Sequence, residues 1–341
     1  MESFKIVHCA NFSESKNGDV FYAIDRIISN GLIRNNHFVY NFSYREVSKS
    51  LNFFRSKKSG AKKMNRALIE TVRNIQPHLL LLGHSELIYD TTLELIKNEF
   101  PAIKIAMWWV DPFERIEHIK SRIKYLDAFF ATTNPSYYKQ FFEEKTAFYY
   151  LPNLCDDSIE RSSSFENEKY KYDLTFIGRN DCARKNFIES LNNFKNINFK
   201  LFGNSKDTLI LGNDYLELLF NSKMAINYSR YNDISLYSSD RIIQLTAQGV
   251  MTLSPKIPDM EILFNDNEIV YFKDFLDLEE KVNYYLEHDK ERREIAYNGW
   301  KRAHNSYNST RITKYMIESI FNLLYSDNYE WKEFEIKGIF K

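Results

Sequence analysis

A chain of 341 residues has room for two domains of ordinary size, and its 44% hydrophobic and 16% aromatic content supplies two cores, which excludes a disordered protein. Lysine plus arginine and aspartate plus glutamate each number 46, so the formal net charge is zero and no nucleic-acid partner is expected from bulk electrostatics. The start, MESFKIVHCANF, has no charged segment leading a long apolar run, and Cys9, Cys155 and Cys182 are scattered without CxxC spacing, so the expectation is a cytoplasmic protein with reduced thiols and no membrane span.

In chain order, the apolar run 4–10 reads as a strand, 19–30 as a helix and 37–42 as a strand. The polar insertion FRSKKSGAKKMNR (54–66) follows, and a helix at 61–75 ends before Pro77. Next come a strand at 78–83, a helix at 88–99, and strands at 103–110, 128–133 and 147–152. Continuous apolar strands alternating with helices imply a parallel sheet covered on both faces. Residues 158–171 are polar and aperiodic, as a linker would be.

The pattern then restarts with a strand at 173–178, a helix at 184–194, a strand at 198–203, a helix at 214–221 and a strand at 223–229. The segment SLYSSDRIIQLTAQGVMTLSP (235–255) reads as a loop, a helix capped by Ser238 or Ser239, a stop at Gly249 and a buried strand. A strand at 268–272, helices at 277–288 and 291–301, and a long helix at 309–326 complete it. The tail carries Tyr329, Trp331, Phe334 and Phe340, which need apolar surface to cover. Two Rossmann-like domains are therefore expected at 1–157 and 172–320, with 321–341 crossing back to the first.

In open α/β sheets, ligands sit beyond the carboxyl ends of the strands. In the second half those ends carry Gly178, Arg179 and Asn180 with Arg184 and Lys185, then Gly203 and Asn204, then Asn227, Tyr228, Ser229 and Arg230. The loop Tyr237, Ser238, Ser239, Asp240, Arg241 adds hydroxyls and a helix start. Guanidinium forks, close-approach glycines and free helix N–H groups suit a diphosphate. Each charge taken singly reads equally well as ordinary surface; their convergence favours a site.

In the first half the ends carry Asn11 with Lys16, Asn17 and Gly18, then His84, then Asp111. His84 reads as either a functional or a structural histidine, and Asp111-Pro112 as either a site or a turn. The seven histidines are scattered, so no metal site is expected.

The run YDLTFIGR…R (172–184), KLFG (200–203), the 235–255 segment and ERREIAYNGWKRAHNSYNSTRI (291–312) together resemble the nucleotide-sugar half of GT-B glycosyltransferases, group 1 and its CgeB-like branch. The resemblance covers about 170–320; over 1–150 it is architectural. It implies an α/β fold of two facing Rossmann-like domains, an N-terminal one for the acceptor and a C-terminal one for the donor.

The implied activity is metal-independent transfer of a sugar, with retention, from a nucleotide diphosphate sugar as co-substrate and with no other cofactor. Arg179, Arg184 or Lys185, and the 239–241 helix start would hold the diphosphate, with Gly178, Gly203, Asn227, Ser229, Tyr237, Ser238 and Arg241 around it. Asp111 or His84 would position or deprotonate the acceptor, and Asn11, Lys16, Asn17 and Gly18 would be acceptor or interdomain residues.

Two positions depart from the family pattern. Its ribose-binding glutamate falls on Gln244, and the glutamate eight residues earlier falls on Leu236. The basic stretch Arg55, Lys57, Lys58, Lys62, Lys63 and Arg66 reads as a solvated face or as a contact for a lipid-linked acceptor or the inner membrane, with Phe53 and Phe54 beside it. Cell-envelope glycan or lipopolysaccharide synthesis is the setting this suggests. A sugar-nucleotide epimerase and a non-catalytic binding protein are the alternatives.

Overall fold

The computed structural model describes residues 2–51, 56–141, 145–179, 181–195, 197–203 and 205–337. Phe53, Phe54, Arg55, Asn180, Asn204 and Phe340, singled out above, lie outside these residues. The chain divides into two compact units, residues 1–152 with 309–341, and residues 153–308.

Unit 1 begins with β1 (Lys5–Ala10), α1 (Ile24–Arg34), β2 (Phe38–Ser43), α2 (Tyr44–Ser50) and α3 (Lys57–Ile75). It continues through β3 (Leu79–Gly83), α4 (Asp90–Glu99), β4 (Lys104–Trp109), β5 (Ala128–Ala131) and β6 (Ala147–Tyr150). Unit 2 holds β7 (Tyr172–Ile177), α5 (Lys185–Leu191), β8 (Phe199–Phe202), α6 (Gly212–Phe220) and β9 (Ser222–Ile226). It closes with α7 (Arg241–Ala247), β10 (Met251–Pro255), β11 (Val270–Phe272), α8 (Phe275–Glu287) and α9 (Asp289–Ser306). Unit 1 then receives α10 (Ser309–Ile320) and β12 (Glu335–Ile336).

The fold class is α/β, as expected. Unit 1 has a seven-stranded sheet in the order β12-β6-β5-β4-β3-β1-β2, parallel except for β12, which pairs antiparallel with β6. Unit 2 has a five-stranded parallel sheet in the order β11-β10-β9-β7-β8. Strands such as Leu79–Gly83 are buried along their whole length, because helices cover both faces of the sheet. In each sheet the strand order reverses beside its first strand, so a crevice opens between β1 and β3 and another between β7 and β9.

Several boundaries differ from the sequence reading. The 158–171 stretch lies inside unit 2: Ser164 Oγ donates to Ser222 O at 2.9 Å, and its N–H donates to Gln248 O at 3.0 Å. Its polarity serves hydrogen bonds to the sheet's amino edge rather than solvation. The first helix runs 24–34 rather than 19–30, and 44–50 forms a helix where only a polar insertion was read.

The last long helix ends at Ile320 and starts the return to unit 1 at Ser309, twelve residues before the expected 321. It docks on α1 through a glycine. A Cβ built on Gly31 would stand 2.2 Å from Ser309 O, while Arg34 Nη1 donates to Ser309 Oγ at 3.0 Å and Asn35 Nδ2 to Thr310 O at 2.7 Å. Tyr329 and Trp331 are buried in the same unit, where Tyr315 of α10 packs edge-on against both.

A buried polar thread joins β4, β1, α1 and β2. Trp108 Nε1–H can only donate, and it meets His8 Nε2 at 3.0 Å. His8 therefore carries its proton on Nδ1 and donates to Ser29 Oγ at 2.8 Å, which in turn donates to Asn41 Oδ1 at 2.8 Å. Burial lowers the His8 pKa to about 3.

Gly31→Ala should destabilise unit 1 by about 1–3 kcal/mol through overpacking of α10 on α1. Denaturant unfolding measures this, and a neutral result would contradict the close helix contact. For His8 the unfolded ring, with a pKa near 6.5, takes up a proton before the folded one does. The group therefore costs nothing above pH 6.5 and withdraws up to about 1.4 kcal/mol per pH unit as pH falls toward 3. NMR of the His8 ring should show no titration between pH 8 and 5; a midpoint near 6.5 would refute the buried neutral tautomer.

Candidate functional site

The crevice of unit 2 is built around Gly178, the residue that directly follows β7. A Cβ placed there would lie 3.1 Å from Arg184 Nη1, 3.1 Å from Arg241 Nη2 and 3.0 Å from Phe176 Cζ, so the glycine lets both guanidiniums close over the strand end without a shift of a few tenths of an ångström. Arg241 straps the crevice shut. Its Nε donates to Ile177 O at 2.6 Å on β7, and its Nη1 donates to Tyr228 O at 3.1 Å beyond β9 and to Ser239 Oγ at 3.1 Å. Burial first, and then the neighbouring Arg184 charge, lower the Arg241 pKa.

Arg184 is buried; its Nη2 meets Asp181 Oδ2 at 2.8 Å, and the same oxygen lies 3.6 Å from Arg230. Arg184 Nε has no hydrogen-bond partner among the described residues. Guanidiniums this close repel unless an anion separates them, and a single shared carboxylate compensates for only part of that charge.

Most of the remaining expected donor groups come to the same edge. Asn227 is buried and donates to Ser254 Oγ at 3.0 Å and Ser238 Oγ at 3.4 Å, while Ser229 Oγ accepts from Ser239 N at 2.9 Å. Gly203 adopts φ 76° beside Gly178. Arg179 is exposed and makes no hydrogen bond or ion pair among the described residues. Tyr237 is buried with its ring near Tyr231. Lys185 points away into solvent, 3.8 Å from Glu189.

The helix start requires a correction. Neither Ser238 nor Ser239 caps α7: the N-cap is Asp240, with no side-chain cap bond, and the helix is seven residues long. Ser239 is instead held back by Ser229 and Arg241. The positive field of the crevice therefore comes from guanidiniums rather than from a helix start. Gly249 does occupy the stop position, with φ 74°. Gln244 is engaged on both sides, accepting from Tyr215 OH at 2.7 Å and donating to Asp240 Oδ2 at 3.3 Å. Leu236 is fully buried with φ 60°, so its side chain is part of the core.

In unit 1, His84 and Asp111 are brought together by the ends of β3 and β4. His84 Nδ1 lies 3.4 Å from Asp111 Oδ2, and Arg115 Nη1 lies 3.3 Å from Asp111 Oδ1. Burial works to raise the Asp111 pKa, but the His84 hydrogen bond and the His84 and Arg115 charges outweigh it and hold the carboxyl below its usual range. His84 and Ser85 both have left-handed backbones, φ 53° and 47°, a strained pair for side-chain-bearing residues. Arg122, buried beneath them, donates to Ser85 O at 2.8 Å and Glu86 O at 3.1 Å.

Asn11 stands at the end of β1, its N–H bonded to Asp25 Oδ1 at 2.8 Å. Lys16, Asn17 and Gly18 stand on an exposed turn, and no bond joins them to His84 or Asp111 among the described residues.

Several contributors were not legible as site residues. Asp181 and Tyr215 gain their roles from partners brought close by folding. Asn153, whose Nδ2 donates to Ser238 O at 3.2 Å, lies 85 residues from that partner. Asp25, whose pKa burial raises, sits in an ordinary amphipathic helix. Among the described residues, one trio of metal-ligand types, Cys155, Asp157 and His304, converges in unit 2. There His304 already bonds Asp157 Oδ1 at 2.8 Å and Ala247 O at 2.9 Å, and burial raises the Cys155 thiol pKa.

Residues 179–318 match the model of a family described as glycosyl transferase-like. The chain is similar in structure to sucrose-phosphate synthase from Thermosynechococcus elongatus, with a TM-score of 0.62 and 10% identity over 93% of this chain and 98% of that one. It is similar to HepE from Anabaena, solved with UDP-glucose, with a TM-score of 0.60 and 11% identity over 94% and 100%. A UDP-N-acetylglucosamine 2-epimerase described from Listeria monocytogenes gives a TM-score of 0.50 and 9% identity over 96% and 98%. No curated protein sequence matches the chain. Residues 179–318 thus match a glycosyl transferase-like domain, and the chain shares the two-domain α/β fold of these structures.

Proposed function

We propose that the protein transfers a sugar from a nucleoside diphosphate sugar to an acceptor hydroxyl, with the diphosphate held at the β7/β9 crevice. The observation that carries this reading is the convergence of Arg184 and Arg241 within 3.1 Å of one point above Gly178. As the bond from the anomeric carbon to the diphosphate breaks, charge grows on the leaving oxygen. Fixed guanidiniums stabilise that charge without reorganising and without a metal. HepE, which shares the fold, was solved with UDP-glucose, which supports a uridine nucleotide as the first donor to test.

Unit 1 supplies the acceptor-activating pair in this reading. With Nδ1 turned to Asp111, the His84 Nε2 is the atom that takes the acceptor proton, and Asp111 orients the ring. Retention at the anomeric carbon is what the family resemblance implies. The epimerase alternative is the weaker one, since the matched family model is a transferase's.

Lys58, Lys62, Lys63 and Arg66 are all exposed on α3. They support an anionic acceptor or a lipid surface as partner, in a cytoplasmic setting of cell-envelope synthesis. Among the described residues no helix is long and apolar enough to cross a membrane.

Arg184→Ala should weaken nucleoside diphosphate binding by about 1.5–3 kcal/mol, the worth of a charged hydrogen bond. Arg241→Ala should weaken it as much and also lower stability, because it orphans Ile177 O and Tyr228 O. Calorimetry with UDP and GDP checks this, and unchanged affinity in both variants would overturn the phosphate assignment.

His84→Ala and Asp111→Asn should each cut turnover by about a hundredfold or more while leaving diphosphate affinity intact. Full activity in both would remove unit 1 from the chemistry.

A further inference from the structure

We propose that the cleft beside the donor crevice in unit 2 is a subsite for a second anionic group carried by a sugar, a carboxylate or a phosphomonoester, distinct from the diphosphate. This rests on the transferase reading above and narrows its substrate class. The cleft encloses about 640 Å³ at the carboxyl ends of β9, β10 and β11.

Its floor is aromatic. Phe187 of α5 stacks on Tyr228 with ring centroids 3.7 Å apart and planes 5° from parallel, and Phe272 lies parallel to Phe187 at 6.2 Å. Flat apolar rings accommodate the C–H face of a pyranose while leaving its hydroxyls to polar neighbours.

Its walls carry Arg230, Lys256 and Lys273. Lys256 and Lys273 each directly follow the last residue of a strand, Pro255 and Phe272, so the sheet itself fixes their backbones at the cleft. Both are exposed, and neither ammonium has a hydrogen bond or ion pair among the described residues; the Lys273 charge acts on Asp277 from a distance. Two carboxylates also line the cleft, Asp233 and Asp274. Asp274 is already committed as the N-cap of α8, accepting from Asp277 N at 3.0 Å. The balance is positive, and among the described residues neither lysine of the cleft is within ion-pair distance of a carboxylate.

The cleft and the diphosphate crevice share one loop. Tyr228 offers its ring to the cleft and its carbonyl to Arg241, and Arg230 lines the cleft while reaching Asp181, the partner of Arg184. A substrate with a diphosphate in the crevice thus has a neighbouring place for another negative group.

The test uses the full chain and a Lys256→Ala/Lys273→Ala double variant, with circular dichroism and melting to confirm folding. Calorimetry compares UDP-glucuronate with UDP-glucose for a donor carboxylate, and glucose 6-phosphate with glucose, in the presence of UDP, for an acceptor phosphate. The wild type should bind one charged member about tenfold or more tighter than its neutral partner, as a charge-assisted contact implies. The double variant should erase that preference and leave UDP affinity unchanged.

No preference in either pair, or a preference that survives the double variant, would overturn the subsite. Equal weakening of UDP itself would assign the lysines to the diphosphate and also overturn it. Failure of the wild type to bind UDP and GDP at all would instead remove the transferase reading.

Discussion

Two guanidiniums and one missing Cβ set the conditions for the β7/β9 crevice. Gly178 sits where Arg184 and Arg241 both come within contact of the strand end, and a Cβ there would crowd both guanidiniums. Arg241 is also the clamp between the ends of β7 and β9, since it occupies carbonyls on both sides of the crevice. The same group is therefore structural and electrostatic. Its backbone bonds fix its position, and its proximity to Arg184 makes that position favourable for an anion. Asp181 moderates the repulsion between Arg184 and Arg230 without cancelling it.

Unit 1 reaches a comparable arrangement by a different route. Its crevice edge is formed by two consecutive left-handed residues, His84 and Ser85, a costly conformation that the surroundings must hold. Arg122 holds it from below through the carbonyls of Ser85 and Glu86, and Gly83 leaves the room that the Trp108 ring fills. The outcome is a histidine aimed by Asp111 rather than free to rotate. Arg115 and His84 together keep Asp111 ionised, which makes it a better orienting partner than a proton acceptor.

Residues of the family-like tail turn out to serve packing. Arg292 is fully buried, bonded to Asp289 Oδ1 at 2.6 Å and to Lys223 O at 3.2 Å, so it ties α9 to β9. A Cβ on Gly299 would lie 2.3 Å from Glu268 O, which marks it as the close-approach point of α9. Arg311 lies across Trp331 and pairs with Asp327 and Glu330 in unit 1. These residues hold α9 against the sheet of unit 2 and α10 against the tail of unit 1.

The amino-acid sequence by itself determined the alternation of strand and helix, the parallel character of both sheets and the strand ends at which His84, Asp111, Gly178, Arg184 and Asn227 stand. Those features follow from local patterns: uninterrupted apolar runs, glycine stops, and polar residues just beyond them. It did not reveal that Ser239 gives up its capping role to Ser229 and Arg241, because that exchange depends on two strand ends meeting. Nor did it separate Lys185, which faces solvent, from Arg184, which is buried over Gly178; Arg184 is the N-cap of α5 and Lys185 its first residue, and only packing decides which turns inward. The polar stretch 158–171 looked like a linker because hydrogen bonds to a sheet edge and hydrogen bonds to water select the same side chains. Tertiary structure alone decided which charges meet, since charge pairing depends on distances across the fold that no local spacing encodes.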